Sequence, residues 1–306
     1  MWCTISVQNH LQLLSGNKIQ PHQPPRKGGS RLILLTKTLI KSPLLGDLGG
    51  SMIDTHSHIY SEEFDVDIAE AIERAKYAGI KHIILPNVDS VSLPRMLALE
   101  ANYPDYCYAA IGLHPTSVND NYHSELELVK LELERRKYIA IGEIGIDLYW
   151  DKTFLSEQII AFQKQIEWAL ELDLPVIIHI RNSFRETMDA LQPYKDKGLT
   201  GVFHSFTGTL TEAEEMLRFG GFKLGINGIV TFKNAGLAET VSKIDLQHII
   251  LETDSPYLSP TPHRGKRNES AYLTIISEKL AEIYGISSDY IGKITTINAM
   301  NLFKLS

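Results

Sequence analysis

An α/β fold, and within it a TIM-type (β/α)8 barrel, is predicted by three observations on the 306-residue sequence. Eight short runs rich in β-branched and apolar residues recur between Met52 and Asp254, and helical spacing intervenes between runs. The span from Met52 onward suits the roughly 250 residues that one such barrel commonly fills. No G-x-G-x-x-G follows the first run, which disfavours the open doubly wound sheet, the other way to arrange alternating strands and helices.

In chain order the strand runs are MIDTH (52–56), HIILPN (82–87), YAAIGLH (108–114) and IAIGEIG (139–145), then VIIHI (176–180), TGVFHS (200–205), FKLGIN (222–227) and HIILETD (248–254). Between the first two, DIAEAIERAKYAG sets Ile68, Ala71, Ile72 and Ala75 at helical spacing, and Gly79 ends the turn. FLSEQIIAFQKQIEWALELDLP repeats the pattern before the fifth run, which Pro175 opens. Two further helices, near 267–284 and 287–304, close the chain.

Composition narrows the class. Two cysteines, Cys3 and Cys107, cannot build a disulfide framework, so a reducing, cytoplasmic setting is expected. Residues 1–51 hold six basic residues against Asp47 alone, a net of +5, which leaves −12 of the chain's −7 for residues 52–306. An acidic surface excludes a generic nucleic-acid binder, because counterion release needs basic groups. A phosphate-bearing substrate would have to be caught locally, by metal ions or a few placed arginines. No run reaches the roughly 18–20 apolar residues of a membrane span, since lysines break RLILLTKTLIKSPLL (31–45). Residues 1–51 read as a disordered leader or as sequence upstream of a start at Met52; a transit peptide is the second reading. Residues 52–306 read as one barrel domain.

The chemistry-bearing residues fall at one end of the strands. His56 and His58 end the first, Glu143 the fourth, His179 the fifth, His204 the sixth and Asp254 the eighth. The carboxyl ends of barrel strands form a single rim, where barrel active sites sit. Imidazoles and carboxylates suit Zn²⁺, Mn²⁺, Co²⁺ or Fe²⁺, and these six exceed what one ion needs. Glu143, with two oxygens, can bridge a pair of ions. Singly, each has a plainer reading: an incidental H-x-H, a core histidine at His204, a turn-capping aspartate at Asp254. His82 and His248 start their strands and read as structural.

These residues and their surroundings, IDTHSH, AIGLHP, AIGEIGIDLYWD, PVIIHIRNS, GVFHSFTGT, LGINGIVTFKNA, LETDSPYLSP and HRGKRNES, resemble the amidohydrolase superfamily. More closely, they resemble its TatD family of metal-dependent deoxyribonucleases, from Met52 to about Phe303. The resemblance implies His56, His58 and Asp254 around one divalent ion, His179 and His204 around another, and Glu143 between them. It further implies 3′-to-5′ exonuclease action on single-stranded DNA or 3′ ends, with RNA as a second substrate. Mg²⁺ or Mn²⁺ would be the working ions, and the histidine-rich shell would also accept Zn²⁺. Many amidohydrolases bridge their ions with a carbamylated lysine, whereas this chain has Glu143. Two departures from the family pattern are Ser270 in place of proline, which touches the entry to a helix rather than the metal site, and SFTGT in place of CFSGS, a conservative variation.

Around the ligands, Arg181 is two after His179 and offers a planar fork to a phosphodiester. His114 is placed to meet a non-bridging oxygen or help the leaving group, and Asp254 to act as base toward water. The loop TPHRGKRNES gathers His263, Arg264, Lys266 and Arg267 as a local basic patch; its plainer reading is a solvated turn with Asn268 as a helix N-cap. Glu252 reads as a ligand-orienting or an ordinary buried acid. Tyr149, Trp150 and Phe206 read first as core packing and second as stacking partners for an unpaired base. The rival chemistry keeps the pocket and cleaves a small amide, ester or lactone. A non-catalytic metal scaffold is the rival of another class, opposed by the open two-ion ligand set. No membrane partner is expected, and a monomer is compatible with the sequence.

Overall fold

The computed structural model describes residues 51–305. The expected leader, residues 1–51, lies outside the described residues except for Ser51, which is buried and whose carbonyl accepts a hydrogen bond from Thr296 Oγ1 at 2.8 Å. The folded part therefore includes Ser51 rather than beginning at Met52.

All eight expected strands are present and parallel. They are β1 (Met52–Asp54), β2 (Ile80–Pro86), β3 (Cys107–Ala110), β4 (Ile141–Asp147), β5 (Val176–Arg181), β6 (Gly201–Phe203), β7 (Phe222–Ile226) and β8 (Ile249–Leu251). Strands β1 to β3 form one continuous ladder and β4 to β8 another. Two seams join them. At β3–β4, Ile111 bridges Ile141, and Gly142 N donates to Ile111 O at 2.9 Å. At β8–β1, Thr55 N donates to Leu251 O and Asp254 N to His56 O, beside a Ser57–Ser255 bridge. A sheet joined at both seams is a closed barrel, which leaves no free edge.

The helices are α1 (Ile68–Tyr77), α2 (Leu93–Asn102), α3 (Tyr122–Arg135), α4 (Leu155–Leu172), α5 (Phe184–Leu191), α6 (Leu210–Arg218), α7 (Leu237–Val241), α8 (Leu273–Tyr284) and α9 (Ser288–Phe303). In α1 the expected stripe Ala71, Ile72 and Ala75 is buried. A capping box between Thr209 and Glu212 starts α6, satisfying two otherwise orphaned amides. The helix expected from 267 begins only at Leu273, after a 3-10 turn over Ser270–Tyr272. Asn268 is not its N-cap: the buried amide donates to Thr253 O and Tyr257 O at 2.8 and 2.7 Å, holding the chain extended there.

Strand parity sets the site. Ile53, Ile84, Ala110, Ala140, Ile177, Val202 and Ile250, one from each of seven strand runs, share one apolar cluster with Ala299, Leu302 and Phe303 of α9. Helix α9 sits beneath the entrances of β1 and β8, where Asn298 Nδ2 donates to Leu246 O and Ile249 O. Side chains alternate along a strand, so residues two further on share that inward direction. Ile177 leads to His179, Val202 to His204, and Ile250 to Glu252 and Asp254. An apolar layer thus lies under a polar one at the carboxyl ends.

Candidate metal centre

The seam between β8 and β1 fixes the first group of donors. Asp54 grips Thr253 through its amide and hydroxyl at 2.9 and 2.6 Å. Asp254 follows in a left-handed conformation (φ 58°), and the segments beyond the two strands lie against one another. His56 Nε2 and His58 Nε2 are 3.1 Å apart. Glu143 Oε2 is 3.1 Å from His56 Nε2 and 3.5 Å from His58 Nε2, and Asp254 Oδ1 is 3.7 and 3.8 Å from the same two atoms.

The other oxygen of Glu143 faces a second group. Oε1 lies 2.7 Å from His179 Nδ1, 3.3 Å from His114 Nε2 and 3.5 Å from His204 Nε2. The buried carboxylate stands between two sets of nitrogens, one oxygen toward each. The rings of His56 and His204 stack at 3.6 Å, which brings the two sets together.

Hydrogen-bond partners assign the imidazole protons. Tyr60 Oη donates to Pro86 O, so it accepts from His58 Nδ1 at 2.9 Å, leaving His58 Nε2 with a bare lone pair. His179 Nε2 lies 2.9 Å from the carboxylate Asp147 Oδ2, which places a proton there and turns Nδ1 toward Glu143. His114 differs, because its Nδ1 accepts from Thr116 N at 3.1 Å. The neutral ring therefore carries its proton on Nε2 and points it at Glu143 as a donor. Below the centre, Glu252 Oε1 accepts from Ser205 N at 2.6 Å. His56 Nδ1 and Glu252 Oε2 are buried without a hydrogen-bond partner among the described residues, while His204 Nδ1 lies 3.1 Å from Glu252 Oε1 as an ion pair.

Charge follows the same geometry. Burial opposes ionisation of Glu143, but His114, His56 and His204 outweigh it and hold the carboxyl well below its usual range. Burial depresses His56 well below the ordinary imidazole value, and His204 adds to this, so His56 is neutral. Burial would also lower His204, but the carboxylates of Glu252, Glu143 and Asp254 reverse it and raise the ring to about 10. His179 is likewise raised, burial being overcome by Asp147 and Glu143. Burial pushes Asp254 up to about 6. Around the ionised Glu143 stand the bare Nε2 of His58 on one side and, on the other, the rings of His204 and His179, both shifted toward the charged form. This donor set of imidazoles and carboxylates fits divalent cations.

The six expected ligands are thus together. His56, His58, His204 and Asp254 lie just beyond the ends of their strands, while Glu143 and His179 lie within theirs. His114 is four residues past β3, beside Glu143 rather than in an outer layer. Two orienting residues were not legible as such in the sequence, Tyr60 behind His58 and Asp147 behind His179. The signal for Asp147 was its period-2 relation to Glu143 on β4. Second-sphere carboxylates tune ligand basicity, so Asp147→Asn is expected to weaken metal affinity by roughly 10- to 100-fold, read by metal titration against a competing chelator.

The outer residues separate. Arg181 rises over the rim with Cζ 3.9 Å from the Tyr149 ring centroid. Tyr149 and Trp150 are 50% and 75% exposed, which corrects their reading as core, whereas Phe206 is buried as expected. Arg264 is exposed, over the Phe232 ring at 4.2 Å, and Lys266 is exposed. Arg267 turns away from the rim and grips Asp67 with both Nη atoms, at 2.6 and 2.8 Å, over the Phe64 ring. Its fork is engaged in strapping the strand-8 loop to α1. Arg267→Met is expected to cost about 1 kcal/mol, a fall in Tm of roughly 2–4 °C, with kcat/KM unchanged. The Arg267 hydrogen bonds hold Asp67 at about 2, below its ordinary 3.8. A depressed carboxyl stabilises fully above the unfolded value and loses this as pH falls toward the folded one, so the difference between variant and wild type narrows below about pH 4.

A groove of about 740 Å³ opens beside the centre, lined by His58, Tyr60, Arg95, His114, Thr116 and Tyr257. His82 and His248 lie at the opposite end, as expected, with His82 Nδ1 3.1 Å from Asp105 O. No helix among the described residues is long and apolar enough to cross a membrane.

Comparison with known proteins bears on this geometry. A family model described as TatD related DNase matches residues 53–304. The metal-dependent hydrolase YabD of Bacillus subtilis is 37% identical over 256 residues, covering 83% of this chain and all of that protein. A Yersinia pseudotuberculosis protein named 3′-5′ ssDNA/RNA exonuclease TatD is 32% identical over 260 residues, again 83% of this chain and 100% of the relative. The crystal structure of YjjV, a TatD homologue of Escherichia coli, superposes with a TM-score of 0.78 at 32% identity, covering 83% and 98% of the two chains.

Proposed function

Because the chain belongs to the TatD family of metal-dependent hydrolases, we propose that it hydrolyses phosphodiesters, removing nucleotides from the 3′ ends of single-stranded DNA, with RNA as a second substrate. The observation that carries this reading is the division of Glu143, whose two oxygens face two sets of imidazoles beside a groove that His58 and His114 line. His56, His58 and Asp254 would hold one divalent ion and His179 and His204 the other, with Glu143 shared. Mg²⁺ or Mn²⁺ is proposed, and Zn²⁺ suits the histidine nitrogens. When bound, such ions would supply Lewis acidity toward a phosphoryl oxygen and would make water more acidic.

The chain's own groups do the rest. Asp254 is the base that takes the proton of the attacking water. His114 offers its Nε2 proton to a non-bridging or departing oxygen. Arg181 presents its guanidinium to the phosphodiester as charge develops. Arg264 and Lys266, exposed on the strand-8 loop, would guide the acidic protein's polyanionic substrate. Cytoplasmic residence, which rests on the two-cysteine composition, belongs to the same proposal.

The test incubates the full chain with single-stranded DNA labelled at its 3′ end, with Mg²⁺, Mn²⁺ or chelator. Metal-dependent release of 3′ mononucleotides is the expected result. Intact DNA in the presence of demonstrably bound metal would overturn the reading and redirect the search to small amides, esters and lactones. A chain lacking residues 1–50 is expected to match the full chain in the same assay.

A further inference from the structure

Beside the centre, two large aromatic side chains stand exposed where an acidic, well-packed barrel has no structural need of them. Trp150 is 75% exposed and Tyr149 50% exposed, directly after β4. They meet edge to face with centroids 4.7 Å apart. Arg181 covers Tyr149 at 3.9 Å and stands 5.5 Å from the Trp150 centroid. A large exposed aromatic surface of this kind commonly marks a binding site.

Next to Trp150 lies a cavity of about 340 Å³, lined by Thr116, Asp147, Asp151, Phe154 and Gln158 as well. Two of these residues tie it to the metal centre. Asp147 holds His179 at 2.9 Å, and the Thr116 hydroxyl lies 2.6 Å from His114 Nδ1. The cavity is therefore one residue removed from the second set of donors. Thr116 also lines the larger groove together with His114, so the two spaces share that threonine.

The lining selects the occupant. Asp147 and Asp151 repel phosphate, so the part of a strand that enters is a base rather than the backbone. The volume is at the small end of ligand pockets, roughly 300–1,000 Å³, which suits one base and not a duplex. Arg181, held against Tyr149, is left to meet the adjoining phosphate. An indole face stacks any base, whatever the sequence.

We propose that Trp150 and the cavity beside it form a subsite for a single unpaired nucleobase next to the scissile phosphodiester, with Tyr149 steering Arg181 onto that phosphate. The subsite rests on the nuclease reading above and adds to it the requirement for an unstacked base. A base-paired end cannot fill it without first opening.

Binding measured in chelator separates the two readings, because it does not depend on hydrolysis. The probes are a fluorescein-labelled oligothymidylate and a strand of equal length with abasic sites at its 3′ end, followed by fluorescence polarisation with the full chain. Trp150→Ala is expected to weaken the oligothymidylate by about tenfold, in the range for one base–aromatic stack, and to leave the abasic strand unchanged. Trp150→Phe should stay within about threefold of wild type. An equal loss on the abasic strand, or no loss on either, overturns the subsite. If the strands bind as expected but metal-loaded protein releases no nucleotide, the nuclease reading fails, and with it the placement beside a scissile bond, while base binding at Trp150 stands. If hydrolysis proceeds and Trp150→Ala binds like wild type, the subsite alone fails.

Discussion

Glu143→Ala is expected to lower the proposed metal-dependent nucleotide release by roughly 100- to 1,000-fold, and bound divalent metal should fall with it. The reason is positional. Glu143 turns one oxygen toward each donor set, so under the proposed arrangement its loss would remove a ligand from each at once. It also leaves His179 and His204, both shifted toward the charged form by neighbouring carboxylates, without their shared counter-charge. A buried charge deprived of its partner is strongly destabilising, so the chelated variant should also melt earlier. Glu143→Gln keeps the volume and one oxygen and separates loss of charge from loss of packing. Metal analysis, melting with and without Mn²⁺, and the strand assay together decide the matter. Retention of two bound ions and more than a tenth of the activity in Glu143→Ala would remove the bridging role.

Asp254→Asn should cut kcat by about 100- to 10,000-fold, the span of positioned proton transfer, while KM changes little. The amide keeps an oxygen in the place of Oδ1, 3.7 Å from His56 Nε2, but cannot accept a proton from water. Metal affinity should therefore fall far less than turnover. The backbone will hold, because Asp254 N donates to His56 O in either variant and the Asp54–Thr253 clamp is untouched. Single-turnover rates at saturating metal, compared with metal binding, give the two numbers. A variant that turns over within tenfold of wild type would require another base, Glu252 being the nearest carboxylate on the same strand run.

Most of the architecture could be read from sequence periodicity. Every one of the eight strand runs became a strand, because β-branched runs bounded by helix-period stretches have few other ways to bury themselves. The convergence of His56, His58, Glu143, His179, His204 and Asp254 was equally readable, since the carboxyl end of each strand is a local property and barrel closure brings those ends together. Where periodicity weakened, so did the reading. The helix expected from 267 starts late because Asn268 is pulled toward Thr253 and Tyr257, a tie no local pattern encodes. Arg267 reads as substrate-facing in a basic loop, but it is bound to Asp67, 200 positions away.

The chain alone thus fixes which residues can carry the chemistry and at which end of the strands they stand. Folding in three dimensions decides how they share the work. It gives His114 a proton to donate and His58 a bare nitrogen, because Thr116 and Tyr60 reach their opposite ring atoms. It sets one oxygen of Glu143 toward each donor set, recruits Asp147 behind His179, and leaves Trp150 in solvent beside an acid-lined cavity. The physical reason is range. Strand and helix periodicity follow from local backbone geometry, whereas proton position and charge follow from contacts within about 4 Å, and those form only when distant segments close the barrel.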